Sequence, residues 1–289
     1  MMNDNQIVII LVIIKVVILA LISAGSILYA LPLCFNQRFY TSIHLFTLNI
    51  CITIFLCATF WMIYYIMNTF YSNILWTEQS CLLILYLQTM VNCQFLYALC
   101  IVSLNRLIAI LNLHKRLFRT KTWIIRCIIV QWITGILLPL PQFDSSLMHC
   151  LISGLDLNYQ IYALCIGGIL PAILLAVTNI IIFKFVHHST RRVQPMNNND
   201  NTILVTTLSQ RYIRLLKHII FMFVILICGW IPAYIVGAID WNGTAISYVV
   251  FHGITMLPCV SLIINVIDLF IFNRKLRKYF LNILRNNRN

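Results

Sequence analysis

Residues 7–33 read IVIILVIIKVVILALISAGSILYALPL, an apolar run broken by a single charge, Lys15. A helix crosses the hydrocarbon of a bilayer with about 20 mostly apolar residues, so this run is long enough to span. It is longer than the core of a signal peptide and has no basic start, which makes a spanning helix the better reading. Six further runs of the same kind follow, at about 42–67, 81–111, 122–141, 159–186, 212–239 and 246–271. The chain of 289 residues is 61% hydrophobic and 9% charged, with a mean hydropathy of +0.92. A soluble domain carries about 25% charged residues to face water. The expected fold is an all-α membrane protein, a single seven-transmembrane helix bundle over 1–289, with no soluble domain, linker or repeat.

The formal net charge of +13 would fit a nucleic-acid partner, but its placement argues against one. With the N-terminus outside, every basic residue except Lys15 falls at a cytoplasmic helix end or in a cytoplasmic segment, which is the positive-inside bias. Asp4, Glu78, Asp144, Asp156 and Asp240 fall outside. The basic surface then faces anionic inner-leaflet lipid. Residues Arg274 to Arg285 interleave basic positions with Leu276, Tyr279, Phe280, Leu281 and Leu284, so a short amphipathic helix is expected on that leaflet.

Nine of the 11 cysteines lie in or at the ends of the runs, where a thiol is usually a small packing residue. Cys81 and Cys150 are the two on the outer side, where oxidation is allowed. A disulfide between them is the natural reading, and two free thiols the alternative. Asn242-Gly243-Thr244 is a glycosylation sequon in a short outer loop.

Several motifs sit inside the runs. The third ends Val102-Ser103-Leu104-Asn105-Arg106-Leu107-Ile108-Ala109-Ile110, with Arg106 25 residues after Cys81 and Trp76 five residues before that cysteine. Trp132 lies in the fourth run, with Pro139 and Pro141 near its outer end, and Pro171 lies in the fifth. The sixth carries Cys228-Gly229-Trp230-Ile231-Pro232, and the seventh ends Asn265-Val266-Ile267-Asp268-Leu269 before Phe270 to Arg277. In this order, over essentially the whole chain, these motifs resemble those of rhodopsin-like (class A) G-protein-coupled receptors. Asn105 and Leu107 replace the outer letters of Asp-Arg-Tyr. A glycine stands inside the Cys-Trp-x-Pro motif, and Val266 and Leu269 replace the proline and tyrosine of Asn-Pro-x-x-Tyr.

The resemblance implies a plasma-membrane receptor, not an enzyme, that passes an extracellular signal to a heterotrimeric G protein with neither cofactor nor metal. Asn105, Arg106 and Leu107 would line the G-protein cleft. Trp230, Pro232, Pro171, Asn265 and Asp268 would form the switch, since proline removes a helix hydrogen bond and permits a bend. The ligand pocket would take Gln88, Thr89, Asn92, Tyr64, Tyr65, Tyr234, Phe251, Thr255 and Cys259, with Lys15 at its edge. Gln88 stands where aminergic receptors carry an aspartate, and Cys259 where opsins carry the retinal lysine. Amines and retinal are thereby disfavoured, which leaves a peptide, a lipid or a small molecule. Ser189, Thr190, Thr202, Thr206, Thr207 and Ser209 of the third inner loop are the candidate phosphorylation sites for arrestin.

The chain also departs from that family. Ile54 takes the place of the sodium-binding aspartate, and a hard cation needs oxygen ligands, so no sodium site is expected. Gly25-Ser26 replaces Gly-Asn, Asn179 a tyrosine, and Arg211-Tyr212-Ile213-Arg214 lacks the acid that would pair Arg106. Asp268 is either an inward partner of Arg106 or an interfacial carboxylate near Arg274. Lys15 either snorkels to the outer interface or pairs Glu78, Asp240 or an acidic ligand inside the pocket. Competing readings are a chemosensory receptor of a lineage-expanded group and a non-signalling decoy. A transporter is disfavoured by the lack of inverted repeats or broken helix pairs.

Overall fold

The computed structural model describes residues 4–35, 42–72, 78–111, 120–143, 157–192, 220–240, 245–272 and 277. Nearly all of them are helical, and none is in a strand. Helix α1 is Asp4–Phe35, α2 Ser42–Phe70, α3 Glu78–Leu111 and α4 Lys121–Leu137. Helix α5 runs through Leu157–Leu164, a π segment Cys165–Ile169 and Leu170–Arg192. Helix α6 is Ile220–Ile239, and α7 joins Tyr248–Ile254 to Met256–Phe272. Six of these, all but α4, are long and apolar enough to cross a membrane.

The inward face of α1 shows why the helices associate as they do. Val8, Val12, Lys15, Leu19, Ile22, Ser26, Tyr29 and Leu33 are buried, a three-or-four-residue rhythm that keeps one stripe turned to the bundle. Ile9, Ile13, Val17, Leu21 and Leu28 face outward, as residues bathed in lipid should. The middle of α3 is enclosed on all sides, with residues 91–100 buried without interruption. One core cluster gathers Leu19 and Ile22 of α1, Ile54 of α2, Phe95 and Leu96 of α3, Leu175 of α5, Trp230 of α6 and Leu262 of α7.

Prolines set three departures from straight helices. Helix α4 ends at Leu137, followed by a 3-10 turn Leu140–Phe143, short of the expected 141. The last ladder bond is Leu138 N–H to the Thr134 carbonyl; Pro139 has no N–H to return to the Gly135 carbonyl, so the ladder stops there. In α5, Pro171 likewise has no N–H, and the Leu170 N–H reaches back five residues to the Cys165 carbonyl. That shift leaves the Ile166 carbonyl without a backbone donor, and the Tyr97 hydroxyl of α3 donates to it at 3.0 Å. In α7 the break falls at Thr255, four residues from Ile254 to Pro258, whose ring crowds the Ile254 carbonyl.

A closed polar network fastens α2, α3 and α4 together. Asn49 Nδ2 donates to Gln131 Oε1 at 2.7 Å, and Gln131 Nε2 donates to Gln94 Oε1 at 2.6 Å. Gln94 Nε2 donates to the Trp132 carbonyl at 3.0 Å, and Trp132 Nε1 donates to Asn49 Oδ1 at 2.9 Å. Gly135 makes room for it: a Cβ there would stand 2.6 Å from Gln94 Nε2.

Candidate functional site

The inward stripe of α1 carries Lys15 into the bundle rather than along its lipid face. Lys15 is 0% exposed. Its Nζ donates to Thr255 Oγ1 at 2.6 Å and lies 3.3 Å from His252 Nδ1. The same Nζ stands 4.7 Å from the centroid of the Tyr65 ring, within cation–π range. With Nδ1 accepting from an ammonium, the neutral His252 ring holds its own proton on Nε2. Thr255 can present its oxygen here because it sits at the break in α7, where its hydroxyl hydrogen is shared by the Phe251 and His252 carbonyls. Cys259, one turn further in, lies within electrostatic reach of the amine.

Aromatic rings surround this centre. Phe60, Trp61, Tyr64 and Tyr65 contact one another along α2. On α7 the Tyr248 and His252 rings meet edge to face at 4.5 Å, and Phe251 approaches the same imidazole. A turn deeper, Trp61 Nε1 donates to Asn92 Oδ1 at 2.8 Å, and the Cys57 thiol reaches the same oxygen.

The expected pocket residues are therefore brought together only in part. Lys15, Tyr65 and Thr255 meet directly, Tyr64 and Phe251 stand beside them, and Asn92 joins through Trp61. Thr89 is buried with its hydroxyl on the Leu85 carbonyl of its own helix, and Gln88 is half-buried. Tyr234 packs lower, its hydroxyl against the backbone of Gly167 in the π segment, where a Cβ would come within 2.5 Å. Sequence reasoning missed His252 and Trp61. The available signal for His252 was its place three residues before Thr255, which puts both on one helix face.

Below the pocket, Trp230 is buried between Phe95 at 5.8 Å and Tyr234 at 6.3 Å. Its Nε1 has no hydrogen-bond partner, and neither have Ser261 Oγ and Asn265 Oδ1. Pro232 lies one half-turn on in α6. Gly229 lets α6 and α7 touch, since a Cβ there would meet Ser261 Cβ at 2.5 Å. Asn265 Nδ2 donates to the Ser261 carbonyl at 2.7 Å. Ile54, in the place of the sodium-binding acid, is wholly buried in the apolar core. Asn179 is also buried, with both side-chain polar atoms unpartnered.

At the inner end, Asp268 is 5% exposed, so it faces the bundle and not the interface. Its carboxylate acts electrostatically on the Arg106 guanidinium of α3. Leu107 is buried and Asn105 half-buried, the latter with its Oδ1 unpartnered. Near the start of α3, Cys81 is disulfide-bonded. Cys150, Asn242, most of the third inner loop and, apart from Arg277, the 274–285 segment lie outside the described residues.

No curated protein matches the chain. A family model described as 7 transmembrane receptor (rhodopsin family) matches residues 25–272. That stretch contains the helix-end arginine, the tryptophan–proline segment of α6 and the Asn265–Leu269 end of α7. With its bundle of membrane-length apolar helices, the chain belongs to the rhodopsin family of seven-transmembrane receptors.

Proposed function

We propose that this receptor binds an extracellular ligand in the outer half of the bundle and passes the signal to a heterotrimeric G protein at the inner end of α3. The observation that carries the reading is the facing of Arg106 and buried Asp268. An arginine near the hydrocarbon is costly unless it finds a partner or a water-filled cleft. Here the partner comes from α7, because Asn105 is neutral and the start of the sixth run has no acid. Attraction to Asp268 favours the closed cleft. A ligand that prefers the arrangement in which they part shifts the population to the open one.

Topology follows the same reading. Helix α4, at 17 residues, is at the short end of what spans a bilayer and supplies the seventh crossing. The N-terminus is outside and the protein sits in the plasma membrane. Cys81 pairs with Cys150, because the nine other cysteines are free thiols. Asn242 is the glycan acceptor, the third inner loop the arrestin-facing segment, and 274–285 the eighth helix on the inner leaflet. With Ile54 in place of the acid, ligand binding should be indifferent to replacement of sodium by a large organic cation.

A panel of purified G proteins reconstituted with the receptor tests the function. Basal nucleotide exchange on at least one G protein, lost in Arg106→Ala at equal surface level, is expected. Silence across the panel would favour the decoy reading.

A further inference from the structure

Resting on the receptor reading above, we infer that the Lys15 centre is the head-group site for a singly charged carboxylate on an apolar ligand. Three observations converge on it. First, Lys15 is wholly enclosed, and the described groups that meet it are neutral: Thr255 Oγ1, His252 Nδ1 and the face of Tyr65. An ammonium taken from water into the bundle loses solvation worth several kcal/mol, which hydroxyl and imidazole acceptors offset only in part. Second, no carboxylate among the described side chains reaches it. Asp240 Oδ1 accepts from the Ala245 and Ile246 N–H groups of its own loop, and Asp268 is thirteen residues past Thr255, about 20 Å along the helix. Third, the charge count selects the ligand. Among the described residues, Lys15 is the only lysine or arginine in this half of the bundle, so a single negative charge is balanced. A phosphate monoester, at about −1.5 to −2 near neutral pH, would leave excess charge in a dry site.

Thr255 and His252 take two of the three ammonium protons, and the third is left for the ligand oxygen. The body of the ligand is apolar because the surroundings are. Half-buried Tyr64 and Phe251 and exposed Tyr248 flank the centre, and such aromatic faces bind hydrocarbon and exclude water from the ion pair.

Decanoate, decanol and decyl phosphate serve as matched probes on the full-length receptor in neutral phosphatidylcholine nanodiscs, read by the thermal unfolding midpoint. Decanoate should raise the midpoint saturably. Decanol should not, and decyl phosphate should need at least tenfold higher concentration. The decanoate shift should vanish in Lys15→Gln, persist in Lys15→Arg and require several-fold more decanoate in Thr255→Val. If Lys15→Gln does not fold, Thr255→Val and the three probes decide. The inference is overturned if decanoate gives no shift, if decanol matches it, if decyl phosphate binds as tightly, or if Lys15→Gln or Thr255→Val leaves the titration unchanged. Basal exchange dependent on Arg106, measured in the same nanodiscs without any probe, reports separately on the receptor reading.

Discussion

Gly167 shows how one missing side chain positions a helix. The Tyr234 hydroxyl of α6 rests on its backbone, and a Cβ there would stand 2.5 Å from that oxygen. Gly167→Ala should lower stability by about 1–3 kcal/mol, the usual cost of overpacking. Tyr234→Phe in the same chain should recover only part of that loss, because the hydroxyl is the closest atom but ring carbon Cζ would still stand 2.8 Å away; thermal melts of the three variants check it. Gln131 illustrates the opposite case, a polar group that cannot be removed alone. It accepts from Asn49 and donates to Gln94, so Gln131→Leu strands two buried amides at about 1–3 kcal/mol each. A melt showing Gln131→Leu as stable as the wild type would contradict the closed network. Neither contact is visible in a linear sequence, in which 131 is 37 residues from 94 and 82 from 49. Sequence reading marked Trp132 as a family position but had no way to see that its indole closes the ring.

Among the helices, α5 and α7 depart most from regular geometry, and both departures trace to proline. The π segment of α5 lacks one backbone donor for the Ile166 carbonyl, and Tyr97 supplies it. Tyr97→Phe should therefore destabilise the receptor by about 1–3 kcal/mol. Restoring an N–H at the source with Pro171→Ala should make that hydroxyl dispensable. The two substitutions are expected to be non-additive in a double-mutant cycle, with a coupling of about 0.5–3 kcal/mol; strict additivity would contradict the account. The long apolar runs were legible because a membrane helix must satisfy its own backbone over a fixed thickness, and periodicity carries that information locally. The early end of α4 and the break at Thr255 are not evident from periodicity, although Pro139 and Pro258 carry the signal. Lys15 was seen as an anomaly, but its partners depend on the rotation of α1 against α7, a contact across 237 residues.

At the scale of the whole molecule, two polar centres lie at opposite ends of one apolar core. Lys15 joins α1 to α7, and near the other end of α7 the buried Asp268 acts electrostatically on Arg106. Between them, Trp230, Ser261 and Asn265 keep unpartnered polar atoms, and Gly229 lets α6 lie against α7. Helix α7 therefore touches both polar centres, and its regular ladder is interrupted between them at Thr255. Gly229→Ala should force α6 and α7 apart, since Ser261 Cβ would be 2.5 Å away, and should raise basal signalling at the expense of thermal stability. The most direct test of the account is basal G-protein nucleotide exchange by reconstituted Asp268→Asn, alone and combined with Arg106→Ala. A several-fold rise in Asp268→Asn that disappears in the double variant is predicted. Exchange identical to wild type in Asp268→Asn would contradict the claim that Asp268 restrains Arg106.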